Sequence, residues 1–294
     1  MNGSIRRRTF LSSAAAGMAG ATALGASLSS AAPVTGNPLG LGLVTYNLAK
    51  DWDVATIIKN CAETGFGAVE LRTTHAHGVE VTLSGSERRE VGKRFADSPV
   101  VLASLGSAFE FDSPDAAVLK KNIEGTKEYA VLARDVGASG IKVRPNHLHT
   151  EDGVPEEKTL EQIGVSLREV SAFAADYGIQ IRVEVHGRDT CRLPRIKKIM
   201  DYAAHDNCRV CWNSNQDDLL DGGLEANFDL VKDKISFVHM RDLFNEDYPH
   251  RRLFQLLHGI GYESWCCAEI QGSDDPIRVM KYYRGLFLAL QNAL

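Results

Sequence analysis

Three residues with acid–base or metal-binding side chains lie at the ends of short apolar segments of the chain. Glu184 ends one such segment, His239 lies near the end of another, and Glu269 follows a third. Burying a carboxylate or an imidazole is costly unless the group is paired or bound to something. Asn213, at the end of a fourth segment, adds an amide oxygen. These hard donors suit Mn²⁺, Mg²⁺, Co²⁺ or Zn²⁺, and the alternative is a buried ion-pair network with arginines.

The direction of these side chains follows from the alternation of a β-strand. Residues 181–187 form a predicted strand and its end, so Glu184 and His186 point to the same face. The same counting places further polar groups on that face at the ends of other strands, or directly after them. These further candidates are Glu70, Arg144, His186, Gln216, Arg241 and Asp242.

Predicted strands and helices alternate about eight times along the chain. The strands are short and apolar on both faces, which is typical of parallel strands covered by helices. Ser113-Pro-Asp is predicted to begin a long helix, with Ser113 as its N-cap. Eight such units in about 250 residues fit a single (β/α)8 TIM barrel, here residues 38–294. An open doubly wound sheet is the alternative, but no glycine-rich phosphate turn follows the first predicted strand.

This fold predicts where the chemistry lies. In (β/α)8 barrels the active site is at the carboxyl ends of the strands. The candidate side chains all end or follow strands, so we expect them to meet at that end.

The N-terminal segment has the pattern of an export signal. Arg6-Arg-Arg-Thr-Phe-Leu is followed by a run rich in alanine, glycine and serine that ends near Ala32. This pattern predicts a twin-arginine signal over residues 1–32, removed on export to the periplasm or another exported location. A membrane anchor is the alternative. The weak hydrophobicity of the run favours cleavage, so we expect no stable membrane span in the mature chain.

Charge and cysteine content limit the partners. The net charge is −5 and no basic tract occurs outside the N-terminal segment, which disfavours a nucleic-acid partner. Cys208-x-x-Cys211 and Cys266-Cys267 fall within predicted strands, so we interpret them as core residues. A disulfide between strands and assembly into a homo-oligomer both stay open.

Taken together, these features resemble the xylose isomerase-like TIM barrel superfamily, which includes sugar phosphate isomerases and epimerases and endonuclease IV-like proteins. The resemblance covers nearly all of the chain after residue 38. It is carried by Gly-Phe-Gly-Ala-Val-Glu-Leu at 65–71, Glu184-x-His186, His239-Met-Arg-Asp242, and Gly-Tyr-Glu-Ser-Trp at 261–265 leading to Glu269.

The resemblance implies that Glu184, Asn213, His239 and Glu269 bind one divalent metal. Glu184 and Glu269 would then move a proton at the carbon next to the carbonyl of a non-phosphorylated sugar or keto-sugar. The six further candidates would contact this small carbohydrate. Asn213 and Gln216 depart from the Asp and His of the family, so the metal site is weakened, or absent if Asn213 does not bind. The implied function is a divalent-metal-dependent sugar isomerase or epimerase.

Two other functions remain open. A lyase or hydratase acting on 3-keto-glycosides would use the same first step and then expel the glycosidic oxygen. A carbohydrate-binding barrel without catalysis is favoured by Asn213 and Gln216. The endonuclease branch fits poorly, because it needs more His and Asp ligands than these strand ends supply.

Overall fold

The computed structural model describes residues 38–292, in which eight strands alternate with eight helices. The predicted signal at residues 1–32 lies outside this range. The strands are β1 (Gly40–Val44), β2 (Ala68–Arg72), β3 (Val101–Glu110), β4 (Gly140–Arg144), β5 (Gln180–Glu184), β6 (Cys208–Asn213), β7 (Ile235–Met240) and β8 (Trp265–Ala268). The helices are α1 (Val54–Thr64), α2 (Gly85–Ala96), α3 (Ala116–Val136), α4 (Glu156–Ala175), α5 (Leu193–Ala203), α6 (Leu224–Val231), α7 (His250–Gly259) and α8 (Pro276–Leu290).

The strands form one closed parallel barrel in chain order. Each strand pairs with the next, and β8 pairs with β1 through Leu41 and Cys266. The prediction of a TIM barrel is therefore confirmed, and the open doubly wound sheet is excluded for the described residues.

The apolar side chains divide into two layers. A large core fills the space between the strands and the surrounding helices, and a smaller one fills the barrel interior. The interior core consists of Val44, Ala68, Ala103, Cys211, Phe237 and Cys267. All six cysteines are buried and free, as expected of core residues. Because this plug fills the lower interior, polar groups from the strands gather above it.

Side-chain caps define where four of the eight described helices begin, and α1 and α3 are two of them. Asp53 caps α1 by accepting the Thr56 N–H at 2.8 Å. Asp115 caps α3 by accepting the N–H groups of Ala117 and Val118. The prediction of Ser113 as the α3 cap is wrong, because the Ser113 hydroxyl instead accepts the Asp115 N–H at 3.2 Å.

The chain needs a glycine three residues after β5 ends. Gly187 has φ +97°, and a Cβ there would lie 2.2 Å from the Asn146 carbonyl oxygen. Only glycine tolerates both the left-handed backbone and this close approach. The turn therefore brings His186 against the loop after β4, where Asn146 lies. Across residues 38–292, the helices are all too short or too polar to span a lipid bilayer.

Candidate active site

A polar cavity of about 460 Å³ opens at the carboxyl ends of the strands. Seven of the ten residues predicted from the sequence line it, namely Arg144, Glu184, His186, Asn213, Arg241, Asp242 and Glu269. Tyr46, Arg72, Lys142 and Gln271 complete the lining. The structure thus brings most of the candidate side chains to one place, as the barrel geometry requires.

His239 forms the floor beneath this cavity and is fully buried. Its Nδ1 lies 3.1 Å from Glu184 Oε1 and 3.9 Å from Glu269 Oε2. Asn213, which is level with His239 in the β6–β7 register, donates through Nδ2 to Glu184 Oε1 at 3.2 Å. One ligand atom each from Glu184, His239 and Glu269 lies within 4.8 Å of the others. This spacing suits donors to a single cation.

Glu70 lies behind His239 and does not line the cavity. Its Oε1 is 3.2 Å from His239 Nε2, and both side chains are fully buried. The space for this carboxylate exists because Gly106 lacks a side chain, since a Cβ there would lie 2.7 Å from Glu70 Oε1. A carboxylate beside the second ring nitrogen is the usual support of a metal-binding histidine. The predicted contact of Glu70 with substrate therefore has no support in this geometry.

Gln216 also lies away from the cavity. After Asn213 the chain enters a 3₁₀ turn, Gln216–Leu219, in which the Asn215 and Asp218 side chains cap each other's backbone. The turn leaves Gln216 exposed and outside the cavity lining. The sequence predicted it at the site because it follows a strand end, and strand alternation does not extend into a turn.

Lys142 enters the site from β4 and was not among the predicted site residues. Its Nζ lies 2.9 Å from Glu184 Oε2, and its side chain is only 4% exposed. Its position on β4 could have indicated this role, because Lys142 lies two residues before Arg144 and both side chains therefore point in the same direction. Glu184 therefore contacts Lys142 through one oxygen and His239 with Asn213 through the other.

The buried charged groups shift each other's pKa values. Burial acts to raise the pKa of Glu184, but Lys142 and His239 outweigh it and hold this pKa well below its ordinary value. Burial raises the pKa of Glu269, while His239 acts in the opposite direction. Burial alone would lower the pKa of His239, but the Cys211 thiol, Glu70 and Glu184 raise it well above its ordinary value.

The donor set fits a divalent cation in type and in spacing. Glu184, His239 and Glu269 offer oxygen and nitrogen ligands. Asn213 Oδ1 is buried without a hydrogen-bond partner among the described residues, as is Glu70 Oε2. Buried polar atoms in proteins are nearly always satisfied, so a free amide oxygen beside two carboxylates is compatible with a ligand to a cation. The Lys142 ammonium is the one group in the set that opposes a metal.

A hydrogen-bonded chain of side chains forms one wall of the cavity. Arg144 Nη2 lies 2.6 Å from Glu110 Oε1, and Asn146 Nδ2 donates to the same oxygen. Asn146 Oδ1 is 2.7 Å from His186 Nδ1. Burial lowers the pKa of His186, which favours a neutral ring with one donor and one acceptor nitrogen. Such groups can hydrogen-bond the hydroxyls of a polyol.

Arg241 on the opposite wall is oriented by a buried network. Its Nη2 donates to Asn215 Oδ1 at 2.8 Å, and the Asn215 backbone N–H donates to Asp218 Oδ2 at 3.1 Å. Tyr248 also donates to Asp218 Oδ2, at 2.7 Å, while Asp218 Oδ1 has no hydrogen-bond partner among residues 38–292. A protonated acid matches this pattern, and burial raises the pKa of Asp218 to about 8.

We expect Asp218→Asn to stabilise the protein at alkaline pH. The folded state retains a proton on Asp218 that the unfolded chain has lost, so the contribution of Asp218 to wild-type stability falls as pH rises from about 4 towards about 8. Asparagine has no proton to lose. The variant should therefore gain relative stability over this range, by at most about 1.4 kcal/mol per pH unit. Urea unfolding at pH 5 and pH 9 measures the difference.

The exposed Asp247, adjacent to the buried Tyr248, provides the control. Asp247→Asn should leave the pH dependence of unfolding unchanged. Equal pH dependence in wild type and Asp218→Asn would mean that Asp218 is ionised when folded.

The barrel and its polar cavity place the chain among TIM barrel proteins. The chain belongs to the xylose isomerase-like TIM barrel family, whose sequence pattern matches residues 58–285. A comparison with curated proteins gives no match.

Several solved structures have the same fold. The IolI protein with a bound zinc atom is 16% identical, with 86% of this chain and 98% of that chain covered and a TM-score of 0.72. An L-ribulose 3-epimerase is 17% identical, with 86% and 96% covered and a TM-score of 0.71. The 3-keto-D-glucoside 4-epimerase YcjR from E. coli is 14% identical, with 85% and 99% covered and a TM-score of 0.69.

Proposed function

We propose that this protein is a sugar isomerase or epimerase that moves a proton at the carbon next to a carbonyl group. The observation that carries the proposal is the pair of carboxylates, Glu184 and Glu269, that face one polar cavity from β5 and β8. Sugar epimerases among the structures of the same fold support this reaction class. The two carboxylates also meet the need for one group that takes a proton and another that returns one.

The side chains around the cavity suit a polyhydroxylated substrate. Arg144 and Arg241 present hydrogen-bond donors to hydroxyl groups, whereas His186 and Asp242 present acceptors, because Asn146 Oδ1 takes the single N–H of a neutral His186 ring. The side chains of Arg144, His186 and Arg241 are already held by neighbours, which are Glu110, Asn146 and Asn215 respectively. Fixed donors hold the substrate in one orientation, which lowers the entropy cost of reaching the reactive geometry.

We further propose that the chain uses a divalent metal held by Glu184, His239, Glu269 and the Asn213 carbonyl. When bound, such a cation supplies a positive charge that polarises a carbonyl group. Glu70 would keep the proton of His239 on Nε2, 3.2 Å away, and so leave Nδ1 free as a ligand. The zinc-bound IolI protein, which has the same fold, supports a metal of this kind.

In the proposed reaction, one of the two carboxylates removes the proton from the carbon next to the carbonyl. The other carboxylate returns a proton to that carbon or its neighbour, which gives an epimer or an isomer. The deeply buried floor formed by His239 keeps bulk water from this side of the site. We propose a non-phosphorylated substrate, because the predicted twin-arginine signal implies export and sugar phosphates are cytosolic.

Solvent exchange tests the proposal. The purified protein is incubated in D₂O with a panel of free ketoses and 3-keto-glycosides, with and without Mn²⁺, and the products are identified by NMR and mass. We expect an epimer or isomer that carries one deuterium at the carbon next to the carbonyl. The metal-bound centre should be the active one.

The other outcomes assign the remaining functions. A split 3-keto-glycoside would identify a lyase, since the glycosidic oxygen then leaves after the same proton removal. Binding of a sugar without any deuterium incorporation across the panel would contradict catalysis and identify a carbohydrate-binding barrel.

A further inference from the structure

Lys142 places a positive charge inside the group of metal-binding side chains. Its Nζ lies 2.9 Å from Glu184 Oε2, and its side chain also lines the cavity. Hydrogen bonds from other residues to Glu184 go to Oε1, from Asn213 and His239. Among residues 38–292, Lys142 is therefore the one residue that forms an ion pair with Oε2 of this carboxylate, and Oε2 has no hydrogen-bond partner there.

The fold holds this ammonium firmly in place. On β4 the Lys142 backbone is level with Gly106 of β3 and with Arg182 of β5. The Ser107 hydroxyl donates to the Lys142 carbonyl oxygen at 2.6 Å. The four-carbon side chain then spans the distance from this lower layer to the end of β5, where Glu184 lies.

A buried ammonium and a divalent cation serve the same electrostatic purpose at this centre. Each neutralises Glu184, and each presents positive charge to the cavity. Both cannot take full advantage of the same carboxylate, because two cations held close together on its two oxygens repel each other. The site also lacks a carboxylate at Asn213 that would favour the metal. Lys142 therefore shifts the occupancy of the site away from a divalent cation.

We propose that Lys142 is a further catalytic residue, and that its ammonium competes with a divalent metal for Glu184. This inference rests on the proposed function. When a carboxylate removes the proton next to the carbonyl, the C–H electron pair forms a C=C bond and the carbonyl π pair moves to its oxygen. Lys142 Nζ donates a hydrogen bond to that oxygen, and the reverse shift follows when a proton returns to carbon.

Binding measurements test both parts without a known substrate. Metal-free protein is titrated with Mn²⁺, and separately with glycolohydroxamate, a mimic of the enediolate. Lys142→Met removes the charge and keeps the length. We expect it to bind Mn²⁺ at least tenfold more tightly than wild type and glycolohydroxamate at least tenfold more weakly in the absence of metal. Lys142→Arg, which retains the charge, should bind the mimic within a few-fold of wild type.

Lys158→Met is the matched control, because Lys158 is exposed on α4 and remote from the cavity lining. Lys158→Met should leave the dissociation constants for Mn²⁺ and for glycolohydroxamate unchanged. Should Lys142→Met fail to fold, Lys142→Gln removes the charge while retaining a donor for Glu184, and the same Mn²⁺ gain is expected.

Three results would overturn the inference. The first is that Lys142→Met and Lys142→Gln have the wild-type dissociation constants for Mn²⁺ and glycolohydroxamate. The second is that these variants bind Mn²⁺ more weakly than wild type. The third is that they bind Mn²⁺ more tightly but do not bind glycolohydroxamate more weakly. The second result would assign Lys142 to the support of Glu184. The Mn²⁺ titration involves no sugar, so tighter Mn²⁺ binding by the Lys142 variants could be observed even if no sugar in the D₂O panel reacted. Failure of the Lys142 inference is therefore distinguishable from failure of the proposed function.

Discussion

Replacing Glu269 by glutamine is expected to lower proton exchange at the substrate carbon by about 10²- to 10⁴-fold while the fold stays intact. Glutamine has nearly the same shape but cannot accept and return a proton. The backbone N–H of Glu269 donates to the Met240 carbonyl oxygen at 2.8 Å, and this bond is unaffected by the substitution. Deuterium incorporation in D₂O measures the loss, and circular dichroism with urea unfolding measures the fold.

A matched control lies at the other end of the same strand. Glu263 is exposed just before β8, at the amino end of the barrel, and Glu263→Gln should exchange protons at the wild-type rate. Saturating Mn²⁺ should not rescue Glu269→Gln if the lost group is the proton carrier. Wild-type exchange in Glu269→Gln would remove this residue from the mechanism, and full rescue by Mn²⁺ would reduce its role to metal binding.

Strand alternation accounts for most of what the sequence predicts about the site. Glu184, Asn213 and Glu269 each end or follow a strand with inward direction, and the closed barrel brings them together. This outcome follows from two regular features, the two-residue period of a strand and the shared direction of parallel strands. The fold class follows from the same features and is confirmed by the barrel.

Depth along the barrel axis is less predictable than direction. Glu70 and His239 point inward as expected, yet His239 lies beneath the cavity and Glu70 lies behind His239. Lys142 starts from a lower layer and still reaches Glu184. The depth of a side chain along the barrel axis depends on its length and on the stagger between neighbouring strands. The sequence of a single strand does not contain this stagger.

Irregular backbone is the other limit. Gln216 turns away because a 3₁₀ turn replaces the strand direction after Asn215, and the α3 cap moves from Ser113 to Asp115 because a short turn precedes that helix. Both features arise from competition among several side chains for the same backbone groups. Such competition is decided by local geometry, so it could not be derived from residue types alone.

Asn213→Asp is expected to make the stability of the protein depend on metal. Asn213 Nδ2 now donates to Glu184 Oε1 at 3.2 Å, and an aspartate there would set two carboxylates against each other. Without metal we expect a loss of about 1–3 kcal/mol in the free energy of unfolding. With Mn²⁺ the third carboxylate becomes a ligand. Mn²⁺ affinity should then rise at least tenfold, and stability should be regained by about 2.7 kcal/mol at 100 times the dissociation constant.

Thermal unfolding in chelator and in Mn²⁺ measures this effect, with direct Mn²⁺ titration as the second readout. Asn245→Asp, in the exposed loop after β7, adds the same charge outside the cavity lining and should unfold like wild type in both conditions. A variant at 213 that unfolds like wild type in chelator and gains nothing from Mn²⁺ would place its side chain outside the metal-binding set. In that case the buried Asn213 carbonyl would need another partner, such as a bound water, because an unsatisfied oxygen beside two carboxylates is costly.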